Sequence, residues 1–212
     1  MAPSAEPFVP DSRSLRTLST AAESCEGCEL YRNATQTVFG SGSRHARVLL
    51  LGEQPGDQED RVGEPFVGPA GKLLDRALTE AGLQEAEVYR TNAVKHFRWR
   101  PAPSGGKRRI HQSPTQGQIT ACRPWLLAEL DAVRPAVVVA LGGSAGKSLF
   151  GPSFRVGEAR GTMQSWSPPR ADGEAVDVVV TVHPSAVLRA DDRDAAFQGL
   201  VADLRIAAEV SK

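Results

Sequence analysis

Three groups of residues in this chain have types and spacings that could do chemistry. Cys25-x-x-Cys28 is a ligand pair of metal-site spacing, and Cys122 is the only other cysteine. The run Arg47 to Asp57, R-V-L-L-L-G-E-Q-P-G-D, places the carboxylates of Glu53 and Asp57 in a Gly/Pro-rich loop directly after an apolar stretch. His111 and His183 each follow a predicted element, and imidazole is the side chain that titrates near neutral pH, so either can serve as a general acid or base.

The elements that position these groups follow from periodicity. Val48 to Leu51 reads as a strand buried on both faces, as in a parallel sheet, and Gly52, Pro55 and Gly56 turn the chain at its carboxyl end. Val88 to Asn92, Ala136 to Leu141 and Val176 to Val182 are three further strands, the last ending in His183-Pro184-Ser185. Helices are expected from an Asp11 cap through Ala22, from Gly71 to Gly82, from the Thr115-x-x-Gln118 capping box to Val133, near Ala145 to Phe150, and from Asp194 to Val210. Alternating strands and helices predict a three-layer α/β/α sandwich around a mainly parallel, four-stranded sheet. In such sheets ligands bind at the carboxyl ends of the strands, so Glu53, Asn92 and His183 are expected to converge on one cleft.

A length of 212 residues, 41% of them hydrophobic, suits a single domain over residues 11–212 behind a flexible N-terminal arm of residues 1–10. The start lacks the apolar core of a signal peptide and no run is long enough to span a bilayer, so a cytoplasmic, membrane-free protein is expected. Net charge is zero, but no Asp or Glu falls between Glu87 and Glu129, while Arg90, Lys95, Arg98, Arg100, Lys107, Arg108, Arg109 and Arg123 do. That asymmetry predicts a basic face for a polyanion. Residues 95–114 lack periodicity and read as a long exposed loop. In a reducing compartment Cys25-x-x-Cys28 points to a metal or redox site; the metal candidates are Cys25, Cys28 and Cys122 with His96 the natural fourth ligand, and spacing alone leaves zinc and an iron-sulfur cluster both open. Leu141-Gly-Gly-Ser-Ala-Gly-Lys-Ser148 is one residue short of a phosphate-binding loop, with Leu where its first Gly belongs, and reads as a tight turn, so no nucleotide cofactor is expected.

Four segments together resemble the iron-sulfur uracil-DNA glycosylases: Gly-Glu-Gln-Pro-Gly (52–56), Pro-Phe-Val-Gly-Pro-Ala-Gly (65–71), Thr-Asn-Ala-Val-Lys (91–95) and His-Pro-Ser (183–185). Lys-Arg-Arg-Ile-His (107–111) is similar to the signature of the UdgX class, as is His96 where a cysteine is usual. The resemblance implies a [4Fe-4S] cluster on Cys25, Cys28, His96 and Cys122, excision of uracil from DNA, single-stranded DNA preferred, and covalent retention of the abasic strand by His111. It further implies that Gln54, Asp57, Glu59, Phe66, Asn92 and His183 surround the base. Phe66 would stack on it, Asn92 would read its pairing edge, His183 would stabilise the departing anion, and Glu59 would crowd a thymine methyl. Glu53 would support the cationic sugar and take a proton from His111. Lys107, Arg108, Arg109 and Ser185 would meet DNA, with Gly105 and Gly106 letting the loop close; the alternative for Arg109 is to brace the loop through Asp57. A monomer is expected.

Overall fold

The computed structural model describes residues 2–103, 107–168 and 174–212; Gly105 and Gly106, expected to let the basic loop close, lie outside them. The first half of the chain runs α1 (Leu15–Ala22), β1 (Ser41–Gly42), β2 (Val48–Gly52), α2 (Asp57–Val62), α3 (Pro69–Ala81), β3 (Val88–Asn92), β4 (Trp99–Pro101) and β5 (Arg109–His111). The second half runs α4 (Gln116–Val133), β6 (Val137–Leu141), α5 (Gly143–Phe150), α6 (Val156–Ala159), β7 (Met163–Trp166), β8 (Val176–Thr181), α7 (Pro184–Val187) and α8 (Arg193–Val210).

The expected parallel sheet is present as β3-β2-β6-β8, extended at its two edges by the antiparallel strands β1 and β7 to give six strands in all. The edge strands have two and four residues, too few to show alternation in a sequence. Val48 to Leu51 are fully buried because both faces are covered. Leu50, Val139 and Val179 pack with Leu74, Leu200 and Leu204 of α3 and α8. Leu49, Leu51, Val138 and Val180 pack on the other face with Leu126, Leu130 and Leu149 of α4 and α5. Each such side chain contributes about 1.5–3 kcal/mol relative to exposure, which is why the strand reads as a continuous apolar run.

Helix boundaries follow local chemistry. Ser14, rather than Asp11, caps α1 by accepting from the Thr17 N–H at 3.3 Å, because it immediately precedes the first core-facing residue. Thr115 and Gln118 close the expected capping box at the start of α4. Two further expectations need correction. The first residues are not a free arm: Ala5 is buried and its N–H donates to the Ala121 carbonyl at 2.7 Å. Within the segment read as a loop, β4 and β5 form an antiparallel hairpin pairing Trp99 with His111 and Pro101 with Arg109. Three residues per strand, one of them an edge proline, leave no periodic signal. No described helix is long and apolar enough to cross a membrane.

Candidate active site at the carboxyl edge of the sheet

Register decides which side chains meet. Gly52 pairs with Asn92, and Leu141 with Thr181, so the parallel strands finish level and their following residues share one edge. There a cavity of about 720 Å³ is lined by Glu53, Gln54, Phe66, Asn92, His111 and His183, with Asp57, Glu59, Ser185 and Arg189 also in its wall. All six of the sequence-predicted residues nearest the chemistry therefore face one space.

Asn92 and Phe66 crowd Gly52. A Cβ there would stand 2.3 Å from Asn92 Oδ1 and 2.6 Å from the Phe66 ring, so only glycine allows the two to approach. Phe66 has φ of 61°, uncommon for an aromatic residue, and its carbonyl fills the space a Gly71 Cβ would need, at 1.6 Å. Strain of this kind persists where surroundings over-determine it, here by placing a 7% exposed ring against the cavity. Glu59 ties the two glycine-rich loops together: Oε1 accepts from the Gly68 N–H at 2.7 Å and Oε2 from the Gly56 N–H at 3.1 Å.

The two histidines are held by different partners. The Ser185 N–H donates to His183 Nδ1 at 3.1 Å, so Nδ1 is an acceptor and the neutral ring carries its proton on Nε2. Burial pulls the His183 pKa down to about 4, keeping the ring neutral. The Ser185 hydroxyl, expected on DNA, stands 2.8 Å from the same Nδ1. His111 Nε2 lies 2.9 Å from Gln54 Nε2 and 3.5 Å from Glu53 Oε1. The Gln54 amide is oriented by its neighbours: its oxygen accepts from the Arg98 N–H, and its nitrogen faces the carbonyls of Arg98 and Gln112, which can only accept. The Gln54 nitrogen has two protons for three neighbours, the two carbonyls and His111 Nε2, so it orients the ring without fixing which ring nitrogen carries the proton. Burial lowers the His111 pKa, with Glu53 opposing and Arg189 assisting.

Glu53 is fixed from its other side by a residue the sequence reading passed over: the Ser144 hydroxyl donates to Oε2 at 2.5 Å. Its signal was available, since Ser144 also follows a parallel strand's carboxyl end, but the residues around it invited comparison with a phosphate-binding loop instead.

The hairpin carrying His111 is anchored by Arg109, which turns inward and not towards a phosphate. Its side chain is 9% exposed, paired with Asp57 and, at 2.6 Å, with the fully buried Asp60. Phe97 and Trp99 cover the guanidinium at 5.2 and 5.5 Å. The bracing alternative is the one seen, with Asp60 added. Burial alone would raise the Asp57 pKa, but the hydrogen bonds from Arg61 and Arg109 hold it below the usual carboxylate range. The expected basic face shrinks accordingly. Arg90 pairs with Asp75 and Glu85, and Lys95 is buried against Glu129 at 2.5 Å, whereas Arg100, Lys107 and Arg108 are exposed on the hairpin.

Cys25, Cys28 and Cys122 are free thiols buried in a third apolar cluster with Phe39, Val94 and Trp125. Burial pushes the Cys122 thiol up to about 12 and raises Cys28 as well. Two sulfurs already accept hydrogen bonds, Cys25 from Trp125 Nε1 at 3.2 Å and Cys122 from the Lys95 N–H at 3.3 Å. Thr37 spends its hydroxyl proton on the Ala22 carbonyl, so His96 Nε2 must donate to Thr37 Oγ1 at 2.9 Å, leaving Nδ1 with the lone pair. Among the described residues no three of the His, Cys, Asp and Glu side chains stand close enough to share one metal ion. Three buried thiols and an imidazole nitrogen nonetheless make a soft donor set that fits a thiolate-bound cluster.

Residues 39–205 match the family model described as the uracil DNA glycosylase superfamily. The chain is 35% identical over 177 residues to the type-4 uracil-DNA glycosylase of Thermotoga maritima, covering 82% of this chain and 83% of that one. It is 36% identical over 172 residues to the type-4 uracil-DNA glycosylase of Archaeoglobus fulgidus, covering 78% of each. A type-5 uracil-DNA glycosylase of Mycobacterium bovis is 36% identical over 120 residues, 51% of this chain and 42% of that one.

Proposed function

The chain belongs to the uracil-DNA glycosylase superfamily, and we propose that it excises uracil from DNA, single-stranded DNA preferred, and then retains the abasic strand through a bond from His111 Nε2 to C1′. What supports the second step is the place of His111 Nε2 in the cavity wall, 2.9 Å from Gln54 Nε2 and 3.5 Å from Glu53 Oε1.

A base must leave the stack to enter such a cavity. Phe66 then offers a stacking face, Asn92 hydrogen bonds to the pairing edge, and His183 Nε2–H donates to a uracil oxygen as negative charge builds on it. The C1′–N1 bond breaks with its electron pair leaving on uracil, and the Glu53 carboxylate stabilises the oxocarbenium-like sugar. His111 Nε2 donates its lone pair to C1′, giving an alkylated imidazolium whose Nδ1 proton is lost afterwards. Glu53, 3.5 Å from Nε2, offsets the positive charge. The ring occupies the place where a water would otherwise add. Exposed Lys107 and Arg108 supply phosphate contacts. Cys25, Cys28, Cys122 and His96 would hold a [4Fe-4S] cluster, whose role there would be to organise this side of the fold.

The test is denaturing electrophoresis of protein mixed with a uracil-containing single-stranded oligonucleotide, beside a thymine control. A heat- and detergent-resistant band that depends on uracil and on His111 is expected, while His111→Ser releases uracil without the band. Uracil release with no band from the unaltered protein would leave a glycosylase that turns over. A His111 variant that still captures DNA would remove His111 as the nucleophile.

A further inference from the structure

The Gly-Gly-Ser-Ala-Gly segment after β6 touches both ends of the proposed chemistry. Gly142, at φ of 89°, packs so closely on His183 that a Cβ would meet the His183 Cβ at 3.1 Å. Two residues on, in the first turn of α5, the Ser144 hydroxyl donates to Glu53 Oε2 at 2.5 Å. Glu53 Oε1 is the oxygen 3.5 Å from His111 Nε2. With Oε2 tied to α5, rotation of the carboxylate is blocked and Oε1 stays turned towards the nucleophile.

We propose that Ser144 is a positioning residue for Glu53, so that the β6–α5 turn sets the carboxylate and His183 in one rigid frame on either side of the sugar. This rests on the reading of Glu53 as the group that stabilises the cationic sugar. Ser144 touches neither base nor nucleophile; it acts through the carboxylate alone. A neutral hydroxyl suits this task, because it donates to the anion without cancelling the charge the sugar needs, as a lysine would. Being fixed before substrate arrives, the hydrogen bond also spares the carboxylate reorganisation during bond cleavage.

Ser144→Ala and Ser144→Thr, made in the full chain, are compared with the unaltered protein for uracil release under single-turnover conditions, whether or not an adduct follows. Binding of the uracil oligonucleotide and thermal unfolding are measured on the same samples. Ser144→Ala is expected to slow release about 10- to 100-fold, the range one charge-assisted hydrogen bond spans, with affinity unchanged within about twofold and Ser144→Thr restoring most of the rate. Release by Ser144→Ala at the unaltered rate overturns the assignment. So does a loss of affinity that accounts for the whole effect, or a threonine variant as slow as alanine. If the unaltered protein itself releases no uracil, the glycosylase reading fails first and is told apart by that control.

Discussion

Removal of Arg109 tests whether His111 is delivered by an anchored hairpin. The guanidinium bonds Asp57, reaches Asp60 at 2.6 Å, contacts Thr35 Oγ1 at 3.2 Å and lies over the rings of Phe97 and Trp99. Asp57 is 40% exposed, so that pair is worth at most about 1 kcal/mol. Asp60 is fully buried, and stripping one partner from a buried pair costs about 3–5 kcal/mol. Asp60 keeps the Thr35 N–H at 3.0 Å, which puts the loss at the lower end, about 3 kcal/mol. The β4–β5 ribbon is a two-stranded unit with three residues per strand, and such units are marginal alone, so the loss falls on hairpin docking and not on the main sheet. About 3 kcal/mol is more than a hundredfold in the docked population. On the proposed mechanism, Arg109→Ala should therefore slow adduct formation about 100-fold, while uracil release, assigned there to Glu53, Asn92 and His183, changes much less. Arg109→Lys should fall between, since an ammonium cannot reach both carboxylates as the fork does. Single-turnover adduct formation on denaturing gels, with hydrogen exchange at the Ile110 and His111 amides, reads both effects. Capture by Arg109→Ala at the unaltered rate would refute this account, as would a collapse of thermal stability that takes excision with it.

Acid should act through His183. Its folded pKa of about 4 lies below the ordinary 6.5, so the unfolded chain binds the proton first, and stability present above pH 6.5 drains away as pH falls towards 4. Between pH 7 and 4.5 about 2–3 kcal/mol should be lost in urea titrations through this group, a component His183→Gln lacks. Lys95→Met would leave Glu129, fully buried, without its cation and should cost about 3–5 kcal/mol by denaturation, much of it regained in Lys95→Met/Glu129→Gln. If the proposed cluster is present, Cys122→Ser should lower the iron and acid-labile sulfide content of purified protein; full retention of both would remove Cys122 from the ligand set.

The convergence of Glu53, Asn92 and His183 was legible because it needs only the strand ends and the rule that a parallel sheet presents them on one side. The capping box of α4 and the end of α3 at Gly82 were legible for the same local reason: each is written within four residues. What escaped the sequence is set by distance along the chain. Asp60 meets Arg109 across 49 residues and Ser144 meets Glu53 across 91, and no spacing or periodicity marks such a pair before the sheet brings it together. Charge was misleading for the same reason. Lys95 and Arg109 add to a basic run in the sequence, but their partners Glu129, Asp57 and Asp60 lie outside it and neutralise them in the fold.

The ends of the hairpin already meet: the Gln112 N–H donates to the Arg98 carbonyl at 3.0 Å, and Gln54 bonds both residues. The described residues between them, 99–103 and 107–111, belong to a ribbon closed at its own base, which adds His111 to a cavity whose Glu53, Asn92 and His183 stand at the strand ends. On the proposed mechanism, letting go of DNA or holding it is then a property of a detachable part. Cutting residues 99–111 back to a tight turn would take His111 out of the cavity wall and leave the buried Asp60 without its cation, so a recycling enzyme made this way needs Asp60→Asn as well, and the same ribbon could be transplanted, with its Asp57 and Asp60 sockets, onto a scaffold that lacks it.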